Sequence, residues 1–310
     1  FNQLTGSNQH VGNFPGVTVE SKTGTVKGHS DVKVVDLPGI YSLSPYTSEE
    51  IVTRDFLIKA KPDGIINIID ATNIERNLYL TLQIIELNIP MVIALNMMDE
   101  IRAAGSTIDI HGLEKELGVP VVPISAAKNE GIAELIEAAI DTAAKKQRPK
   151  RIDFCSGAVH RAIHGIAHMI EDHAENAGIP ARFAAVKLIE GDPPLARELK
   201  LTDNELDLIE HSVTEMEDSV KTDREAAMAD MRYSFIEDVC SRTVKKRGES
   251  PAYLRSVKID ELLTNKYLAI PIFLAFMILT FFLTFGIVGN SLCAALDYVI
   301  NIVTNAVDNA

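Results

Sequence analysis

The stretch "VKVVDLPGIYSLSPY", residues 32–46, is an apolar run that ends in a carboxylate and a sharp break. Asp36 closes the run, Gly39 follows three positions later, and a loop rich in Tyr, Ser and Pro comes next. Taken alone, an Asp-x-x-Gly sequence is most often a turn that ends a strand. The alternative is a carboxylate and a free backbone N–H that face a phosphate group and its metal ion. Two further motifs in the chain favour the second interpretation.

These further motifs also follow apolar runs. "ALNMMDE" carries Asn96 and Asp99, and "PISAAKNEG" carries Ser125 and Ala126. In a parallel sheet the carboxyl ends of the strands share one edge, which is where ligands bind. An Asp-x-x-Gly, then an Asn-x-x-Asp, then a Ser-Ala, each at a strand end and at this spacing, is the order of a GTP-binding domain. The sequence therefore predicts a nucleotide site at that edge.

Residues 1–147 alternate apolar segments with amphipathic ones, as an α/β domain does. Most strand candidates are β-branched runs without alternation, which indicates a parallel sheet covered by helices on both faces. "KGHSD" (27–31) joins the first two candidates as a hairpin, so this pair is predicted to be antiparallel. We predict strands at 17–27, 32–36, 64–70, 91–96 and 119–124, and helices near 49–60, 73–87, 111–117 and 130–145.

A basic, Pro-containing linker, "AAKKQRPKR" (143–151), leads into a region with few strand signals. Two Thr-x-x-Glu sequences, Thr202–Glu205 and Thr222–Glu225, are predicted capping boxes, in which hydroxyl and carboxylate satisfy backbone amides at a helix start. Residues 151–247 are therefore predicted to form a small helical bundle. Its helices are expected near 157–176, 203–219 and 223–246.

The uncharged stretch "YLAIPIFLAFMILTFFLTFGIVG" (267–289) is long enough to cross a bilayer, which takes about 20 apolar residues. The alternative, a buried core helix, rarely runs so long without a charge. Lys and Arg residues precede the stretch and none follows it, so the positive-inside rule places the preceding residues in the cytoplasm. Residues 248–266 are then a juxtamembrane linker, and residues 290–310 begin an extracytoplasmic segment.

The length, net charge and cysteine spacing of the chain limit the kinds of protein it can be. A chain of 310 residues has room for about two domains. Its net charge of −13 argues against a nucleic-acid partner, which needs a basic face. The cysteines, Cys155, Cys240 and Cys293, form no C-x-x-C pair, which fits a reduced, cytosolic setting for most of the chain.

Several segments resemble the cytoplasmic GTPase domain of the ferrous iron transport protein B family: "FNQLTGSNQHVGNFPGVTVE", "DLPGIYSLSPYTSEE", "DATNIERNLYLTLQ" and "ALNMMD". "KLIEGD" (187–192) and "LTNKYLAIPIF" (263–273) resemble later parts of the same family. The resemblance implies a GTPase domain, a helical domain that slows nucleotide dissociation, and a membrane region for Fe²⁺ uptake in a prokaryotic inner (plasma) membrane. It implies GTP and Mg²⁺ as cofactors, Fe²⁺ as cargo and the lipid bilayer as partner, and it leaves room for small cytosolic accessory proteins and a homo-oligomer.

The chemistry of the motifs gives each residue a role. Asp99 is suited to accept hydrogen bonds from guanine N1–H and the exocyclic amine, which adenine cannot return, so its carboxylate selects the base. Thr18 and Asp36 would hold Mg²⁺, Asp36 through water, and the Gly39 amide would meet the γ-phosphate. Asn96 would brace the loop whose Ala126 amide meets the guanine oxygen. The predicted GTP-binding residues are Gly16, Val17, Thr18, Val19, Glu20, Asp36, Leu37, Pro38, Gly39, Asn96, Met97, Met98, Asp99, Ser125 and Ala126.

The sequence also departs from the usual GTPase pattern. It contains no G-x-x-x-x-G-K-[ST], the phosphate loop that the resemblance places directly before Phe1. The expected fold is therefore a doubly wound, P-loop-GTPase-like sheet without its central first strand, followed by the helical bundle and one transmembrane helix. We expect these residues alone to bind GTP poorly, because that loop makes most of the phosphate contacts.

The catalytic residue stays unassigned. Ile40 occupies the position where many GTPases carry a water-orienting Gln, so hydrolysis is expected to be slow or to use backbone groups of the Thr18 loop and a monovalent cation. Met97 replaces a Lys whose stem covers the base, and a thioether can pack on the same face.

Histidines at helical spacing raise a metal hypothesis. "VHRAIHGIAHMIEDHAE" places His160, His164 and His168 four residues apart, and His164, His168 and Glu171 could converge on one divalent ion. The commoner meaning of such a pattern is the solvated flank of a helix that packs in a bundle.

Two other functions compete with the transporter hypothesis. A soluble GTPase of RNA modification or ribosome assembly predicts a basic surface and no membrane span, and both features are contrary to this sequence. A membrane-anchored interaction module that does not hydrolyse GTP predicts that the complete gene also lacks the phosphate loop.

Overall fold

The structure is a computed structural model that describes residues 1–6, 9–14, 19–150, 152–245, 259, 263 and 269–289. The chain divides into two compact units, Phe1–Arg247 and Gly248–Ala310. The predicted nucleotide motifs and the predicted helical bundle both belong to the first unit.

The strands described in the first unit form three small sheets. One is antiparallel in the order β1-β2-β3, one is parallel in the order β4-β5-β7, and the third pairs β6 with β8. The strands are β1 Gln9–Asn13, β2 Glu20–Val26, β3 His29–Asp36, β4 Ile65–Asp70, β5 Met91–Asn96, β6 Thr107–Ile108, β7 Val121–Pro123 and β8 Val244–Lys245.

The sheets bear out the main features of the fold prediction. β2 and β3 form the antiparallel hairpin, and Gly28 turns it with a φ of 84°, a conformation that glycine adopts without strain. β4, β5 and β7 are parallel, as expected for βαβ units. Within the described residues no ladder joins β3 to β4, so these two strands belong to separate sheets.

Helices connect the strands and continue after them. In the first part they are α1 Asn2–Thr5, α2 Ser48–Asp55, α3 Ile74–Glu86, α4 Met98–Ala103, α5 Ile110–Leu117 and α6 Ile132–Ala144. Phe56–Ala60 continues α2 as a π-helical turn, and Ala71–Asn73 is a 3₁₀ turn. The later helices are α7 Gly157–Met169, α8 Glu171–Ala177, α9 Ala181–Ile189, α10 Pro193–Glu198, α11 Asp203–Val220 and α12 Arg224–Thr243.

The core explains why β5 is apolar on both faces. Met91, Ile93 and Leu95 lie in the large core cluster with α3 and the later helices. Val92 and Ala94 point the other way and pack in a second cluster with residues of α6. Because side chains alternate across a strand, both clusters need apolar residues from the same strand. The run without alternation is therefore the signature of a sheet covered on both sides.

Several predicted elements need correction. β1 (Gln9–Asn13) lies before the first predicted strand, in a segment for which no strand was predicted. The predicted helix 157–176 breaks at Ile170, where the backbone leaves the helical region before α8 begins. No strand was predicted after residue 151, but β8 lies there. It pairs with β6 and connects the end of α12 to the first part of the chain.

The two predicted capping boxes have different outcomes. Thr202 caps α11, and its hydroxyl and the Glu205 carboxylate satisfy each other's backbone amides. The prediction for Thr222 is wrong, because Asp223 is the N-cap of α12 and accepts a hydrogen bond from the Ala226 amide at 2.8 Å. A carboxylate at the N-cap competes well with a neighbouring hydroxyl since it also faces the positive end of the helix.

The second unit contains an apolar helix. α13 spans Ala269–Phe281, and Phe282–Gly289 continues it as a π-helix. The segment Ala269–Gly286 has a mean hydropathy of 2.3, and none of it is buried inside the protein. By length and composition this helix is able to cross a membrane.

Candidate functional site

The strand tips of β5 and β7 are joined by direct hydrogen bonds. Asn96, the last residue of β5, accepts a hydrogen bond of 3.0 Å from the Ala126 amide at its Oδ1. The Met98 amide donates to the Ile124 carbonyl oxygen at 3.2 Å. Asn96 therefore braces the Ser125–Ala126 loop, as the sequence predicted. The same bond occupies the Ala126 amide, which the sequence analysis had expected to contact the guanine oxygen.

Asp99 lies beside the same loop, in the first turn of α4. The Ser125 hydroxyl donates a hydrogen bond to its carboxylate, which lowers the pKa of Asp99, and the positive charge of Lys128 acts in the same direction. Lys128 Nζ is 3.5 Å from the carboxylate. The Asp99 side chain remains 17% exposed. An ionised carboxylate with one open side is therefore fixed at the edge of the sheet.

Met97 adopts a left-handed backbone conformation between Asn96 and α4. Its φ is 65° and its side chain is exposed. Residues other than glycine rarely adopt this conformation, and such strain concentrates at ligand sites. The conformation turns the chain so that the Asp99 carboxylate lies next to the Asn96 loop while the thioether faces solvent.

Asp36 is the last residue of β3, and Leu37–Gly39 follow it. Because β3 belongs to the antiparallel sheet, the prediction that this tip shares one parallel-sheet edge with the Asn96 and Ser125 tips is wrong. Among the described residues the Asp36–Gly39 segment makes no hydrogen bond to the Asn96 or Ser125 loops. Leu37 packs against the core, whereas a Cβ at Gly39 would meet open space. Among the described residues none would contact a Cβ at this position, so none of them blocks a close approach to the Gly39 backbone.

The predicted GTP-binding residues Gly16–Glu20 are described only in part. Gly16, Val17 and Thr18 lie outside the described residues. Val19 accepts a hydrogen bond from the Phe14 amide at 2.9 Å, and Glu20 opens β2 opposite Asn13. Val19 and Glu20 thus hold the end of this loop against the antiparallel sheet.

The loop after Gly39 is anchored to α3. Leu43 is completely buried, and its amide donates a hydrogen bond of 2.7 Å to Oε1 of Gln83. Gln83 is itself fully buried and also contacts Ser42 at 3.3 Å through Nε2. A buried amide side chain with these partners fixes the path of the loop.

The same loop touches the later helices. Lys187 of α9 donates a hydrogen bond of 3.3 Å to the Ser44 hydroxyl and pairs with Glu190 at 2.8 Å. The Tyr46 hydroxyl donates to Glu225 of α12 at 3.4 Å. The polypeptide that follows Asp36–Gly39 is therefore in contact with two helices of the helical bundle.

An almost fully buried ion pair reinforces this junction. Arg54 of α2 donates from Nη1 to Oδ2 of Asp192 at 2.6 Å, and side-chain exposures of 7% and 2% leave the pair nearly dry. Asp192 also caps α10 by accepting a hydrogen bond from the Leu195 amide. Burying two charges is costly unless both are paired, so this contact fixes α2 and α10 in one arrangement.

The predicted metal ligands are not brought together as a set. The ring centroids of His164 and His168 are 6.4 Å apart. His168 instead lies 3.7 Å from Glu171, and both side chains are largely exposed. Glu171 belongs to α8, beyond the break at Ile170, so the helical spacing on which the prediction relied does not continue to it. The donor atoms that do converge belong to Asp153, His160 and His164, all within 4.8 Å of one another.

Sequence reasoning missed the roles of Lys128 and Gln83. Lys128 reaches Asp99 because Ser125 and Glu130 form a β-bridge that folds the loop back. Gln83 reaches Leu43 from a helix 40 positions away in the chain. The position of Gln83 in the apolar sequence "LYLTLQII" could have indicated this role. An amide side chain buried in such a run needs a hydrogen-bond partner.

Comparisons with known proteins cover most of the chain. A family model described as "Ferrous iron transport protein B" matches residues 1–139, and a model described as "FeoB cytosolic helical domain" matches residues 156–245. An Fe(2+) transport protein A/Fe(2+) transporter FeoB fusion protein of Porphyromonas gingivalis is 37% identical over 92% of this chain and 35% of that protein. The Fe(2+) transporter FeoB of Staphylococcus aureus is 36% identical over 96% of this chain and 44% of that protein. The chain thus spans less than half the length of these curated relatives.

Solved structures resemble about four fifths of the chain. A GDP-bound mutant of the S. thermophilus NFeoB is 42% identical, with a TM-score of 0.74, and covers 79% of this chain and 93% of that chain. The mGMPPNP-bound NFeoB from S. thermophilus is 41% identical, with a TM-score of 0.69, over 81% of this chain and 93% of that chain. Both of those proteins were solved with a guanine nucleotide or its analogue.

Proposed function

Because the chain belongs to the ferrous iron transport protein B family, we propose that it is the cytoplasmic GTPase part of a prokaryotic membrane Fe²⁺ transporter, together with the start of the membrane region. In this proposal GTP binding and hydrolysis are coupled to ferrous iron uptake. The GTPase fold of residues 1–139 and the following helical segment supply the switch. Fe²⁺ is the cargo, and its permeation site lies outside these residues.

One observation carries the nucleotide assignment: the hydrogen bond from the Ala126 amide to Asn96 joins two neighbouring strand tips. The Ser125 hydroxyl contacts the Asp99 carboxylate beside this bond. The Asp99 carboxylate is ionised and open on one side. It would accept hydrogen bonds from guanine N1–H and the exocyclic amine, while the exposed thioether of Met97 covers the ring. Adenine has no such pair of donors for the open side of the carboxylate, and a site built to hydrogen-bond its ligand strongly rejects an analogue that lacks those groups.

The phosphate end of the site would use the Asp36–Gly39 segment and the Thr18 loop. The open space around Gly39 supports an approach of the γ-phosphate to its amide. Asp36 and Thr18 supply the oxygen ligands that Mg²⁺ prefers, and the ion would neutralise charge that develops on the phosphates. Since these residues contain no G-x-x-x-x-G-K-[ST], we propose that the nucleotide binds tightly only when the polypeptide also contains such a loop.

The coupling proposal rests on the contacts of the loop after Gly39. A loop that moves with the γ-phosphate would pull on Ser44 and Tyr46, and through them on Lys187 and Glu225. Those two residues belong to α9 and α12, so the nucleotide state would reach the helical bundle by direct contact. The helical bundle would in turn slow nucleotide release by holding the loop.

The membrane assignment is supported by the apolar helix of the second unit. Ala269–Gly286 is uncharged, and none of it is buried inside the protein. Basic residues precede it in the sequence, which supports a cytoplasmic location for the first unit. We therefore place the protein in the inner (plasma) membrane, with its nucleotide site in the cytoplasm.

The test is a comparison of guanine and adenine nucleotides. The codons upstream of Phe1 are read first, and the longer encoded polypeptide is then titrated with fluorescent GDP and ADP beside the 310-residue chain. We expect the longer polypeptide to prefer the guanine nucleotide by at least about 100-fold. Asp99→Ala should abolish this preference.

Glu100→Ala is the matched control, because Glu100 is the exposed acidic neighbour of Asp99 on the same turn of α4. It should keep the preference. Equal affinities for GDP and ADP in the longer polypeptide would refute the guanine assignment. An upstream sequence without a phosphate loop would instead favour the interaction module that does not hydrolyse GTP.

A further inference from the structure

We propose that Asp153, Cys155, His160 and His164 bind one divalent transition-metal ion of borderline softness, of the Zn²⁺ or Fe²⁺ class, at the segment that enters α7. This site is separate from the nucleotide motifs and does not depend on the GTPase assignment. It differs from the His164–His168–Glu171 set that helical spacing suggested.

Three of the donor atoms already have the separations of a coordination shell. Cys155 Sγ is 3.1 Å from Oδ1 of Asp153 and 3.2 Å from Nδ1 of His160. The same Nδ1 and Oδ1 atoms are 3.5 Å apart. Around a tetrahedral Zn²⁺ with bonds of about 2.0–2.3 Å, neighbouring donors lie about 3.3–3.8 Å apart. The three atoms therefore outline one face of such a tetrahedron with a slight contraction.

His164 would complete the site after its ring turns toward Cys155, because its donor nitrogen converges with the donor atoms of Asp153 and His160 but not with the Cys155 sulfur. It lies one turn after His160 on α7, and the two ring centroids are 4.3 Å apart. A donor nitrogen of His164 lies within 4.8 Å of the donors of Asp153 and His160. An i, i+4 histidine pair is a common way to present two imidazoles to one ion. The other two ligands, Asp153 and Cys155, lie in the short segment just before α7. Metal binding therefore needs to order only a few residues beyond the helix.

The surroundings suit an ion that enters from solvent. The side chains of Asp153 and His160 are 47% and 37% exposed, whereas Cys155 is buried beneath them. Arg182 donates a hydrogen bond of 3.3 Å to Cys155 Sγ and lies 3.5 Å from Asp153. An N–H donor to the sulfur stabilises a metal-bound thiolate and orients it. The thiol proton passes to solvent when the sulfur binds the ion.

The ligand set selects among ions. Two imidazoles and a thiolate suit Zn²⁺, Fe²⁺ and Co²⁺, whereas Mg²⁺ and Ca²⁺ prefer oxygen ligands. The site is thus chemically different from the Thr18–Asp36 pair proposed for Mg²⁺. Without an ion the same contacts are an ordinary hydrogen-bonded cluster, and the two interpretations predict different behaviour toward added metal.

Co²⁺ is the probe, because a tetrahedral cobalt–thiolate site gives a charge-transfer band in the near ultraviolet and strong visible bands. The detergent-solubilised full chain is titrated with Co²⁺ in the presence of excess Mg²⁺. We expect one equivalent to bind, with a thiolate band that Zn²⁺ abolishes by displacement. Cys155→Ser should remove the thiolate band, and Asp153→Asn and His164→Ala should each weaken binding by about 10-fold or more.

His168→Ala is the matched control, because His168 is exposed and lies one turn further along α7. It should leave the spectrum and the affinity unchanged. Far-ultraviolet circular dichroism without metal checks that each variant is folded, and Asp153→Asn provides a surface substitution that keeps the proposal testable if His164→Ala unfolds. Absence of a thiolate band in the natural protein, or its survival in Cys155→Ser, would overturn the proposal.

Discussion

Arg232 donates a hydrogen bond of 2.7 Å from Nη1 to Oε1 of Glu190, and no part of Arg232 reaches solvent. The other side of the guanidinium faces Glu86, whose carboxylate is 3.8 Å from Nη2 and makes no hydrogen bond. One buried cation therefore lies between a carboxylate that is well paired and one that is not. Glu86 ends α3, so this cluster also joins the GTPase fold to α12.

The two carboxyl groups should respond to pH in opposite directions. Burial raises the pKa of Glu190, but attraction by Arg232 and Lys187 outweighs it and the pKa lies below its ordinary value of 4.5. Burial raises the pKa of Glu86 and dominates there. Stability from Glu190 is complete above pH 4.5 and is lost as the pH falls through its folded-state value, whereas ionisation of Glu86 lowers stability as the pH rises above 4.5.

Glu190→Gln should therefore cost about 3–5 kcal/mol of unfolding free energy at neutral pH and remove the rise in stability on the acid side. Glu86→Gln is the matched variant, and it should cost less and flatten the decline above pH 4.5. Urea unfolding of the detergent-solubilised chain, followed between about pH 3 and about pH 8, measures both effects. Equal losses for the two variants at neutral pH would contradict this account of the cluster.

Ser44 tests the contact between the loop after Gly39 and the helical bundle. Ser44→Ala removes the acceptor of the Lys187 hydrogen bond but leaves the Lys187–Glu190 ion pair in place. Because a single neutral acceptor is lost, unfolding free energy should fall by no more than about 1 kcal/mol. If this contact holds the loop, release of GDP from the longer polypeptide should accelerate by about threefold to tenfold, measured by stopped-flow displacement of a fluorescent analogue.

Lys187→Met serves as the comparison, because it keeps the apolar stem and removes both contacts of the ammonium group. It should accelerate release at least as much as Ser44→Ala and also lower stability, since Glu190 loses a partner. Release rates that match the natural protein in both variants would show that the loop contact does not regulate nucleotide release.

The sequence predicted the structure correctly where a short local pattern is compatible with a single structural interpretation. The apolar run of β5 predicted a strand covered on both faces, and the strand-end rule correctly predicted that Asn96 meets the Ser125–Ala126 loop. The cap of α11 followed from Thr202 and Glu205 alone. Each of these features depends on residues near one another in the chain or on a general property of parallel sheets.

Other features depended on tertiary context. α9 was missed because every residue in Phe183–Ile189 is buried, so this helix has no polar face and shows no helical periodicity. Even Lys187 is fully buried, because Glu190 and Ser44 receive its charge and hydrogen bonds. The histidine spacing did not reveal the break of α7 at Ile170, which separates Glu171 from the helix that carries the histidines. The donors that converge are instead those of Asp153, His160 and His164.

Gly131 is expected to be essential for the loop that carries Ser125 and Ala126. Its φ is 72°, and a Cβ there would lie 2.4 Å from the Pro123 carbonyl oxygen. Gly131→Ala adds a backbone clash to the strain of a left-handed residue, so unfolding free energy should fall by at least about 2 kcal/mol. Gly165→Ala is the control: it lies inside α7, its Cβ would meet nothing within 4 Å, and alanine should stabilise that helix by up to about 1 kcal/mol. A stabilising Gly131→Ala, measured by urea unfolding, would show that the loop tolerates another path.

The N-caps of α11 and α12 predict different stability effects for two similar threonine substitutions, because Thr202 caps α11 whereas Asp223, and not Thr222, caps α12. Thr202→Ala removes the hydroxyl that accepts the Glu205 amide, so it should cost about 1 kcal/mol, and Thr202→Ser should restore most of the loss. Thr222→Ala should change stability by no more than a few tenths of a kcal/mol, roughly the size of an uninvolved surface change, because Asp223 caps α12. Asp223→Ala is then the costly substitution at that helix. If urea unfolding finds Thr222→Ala as damaging as Thr202→Ala, the start of α12 lies one residue earlier than its capping hydrogen bond indicates.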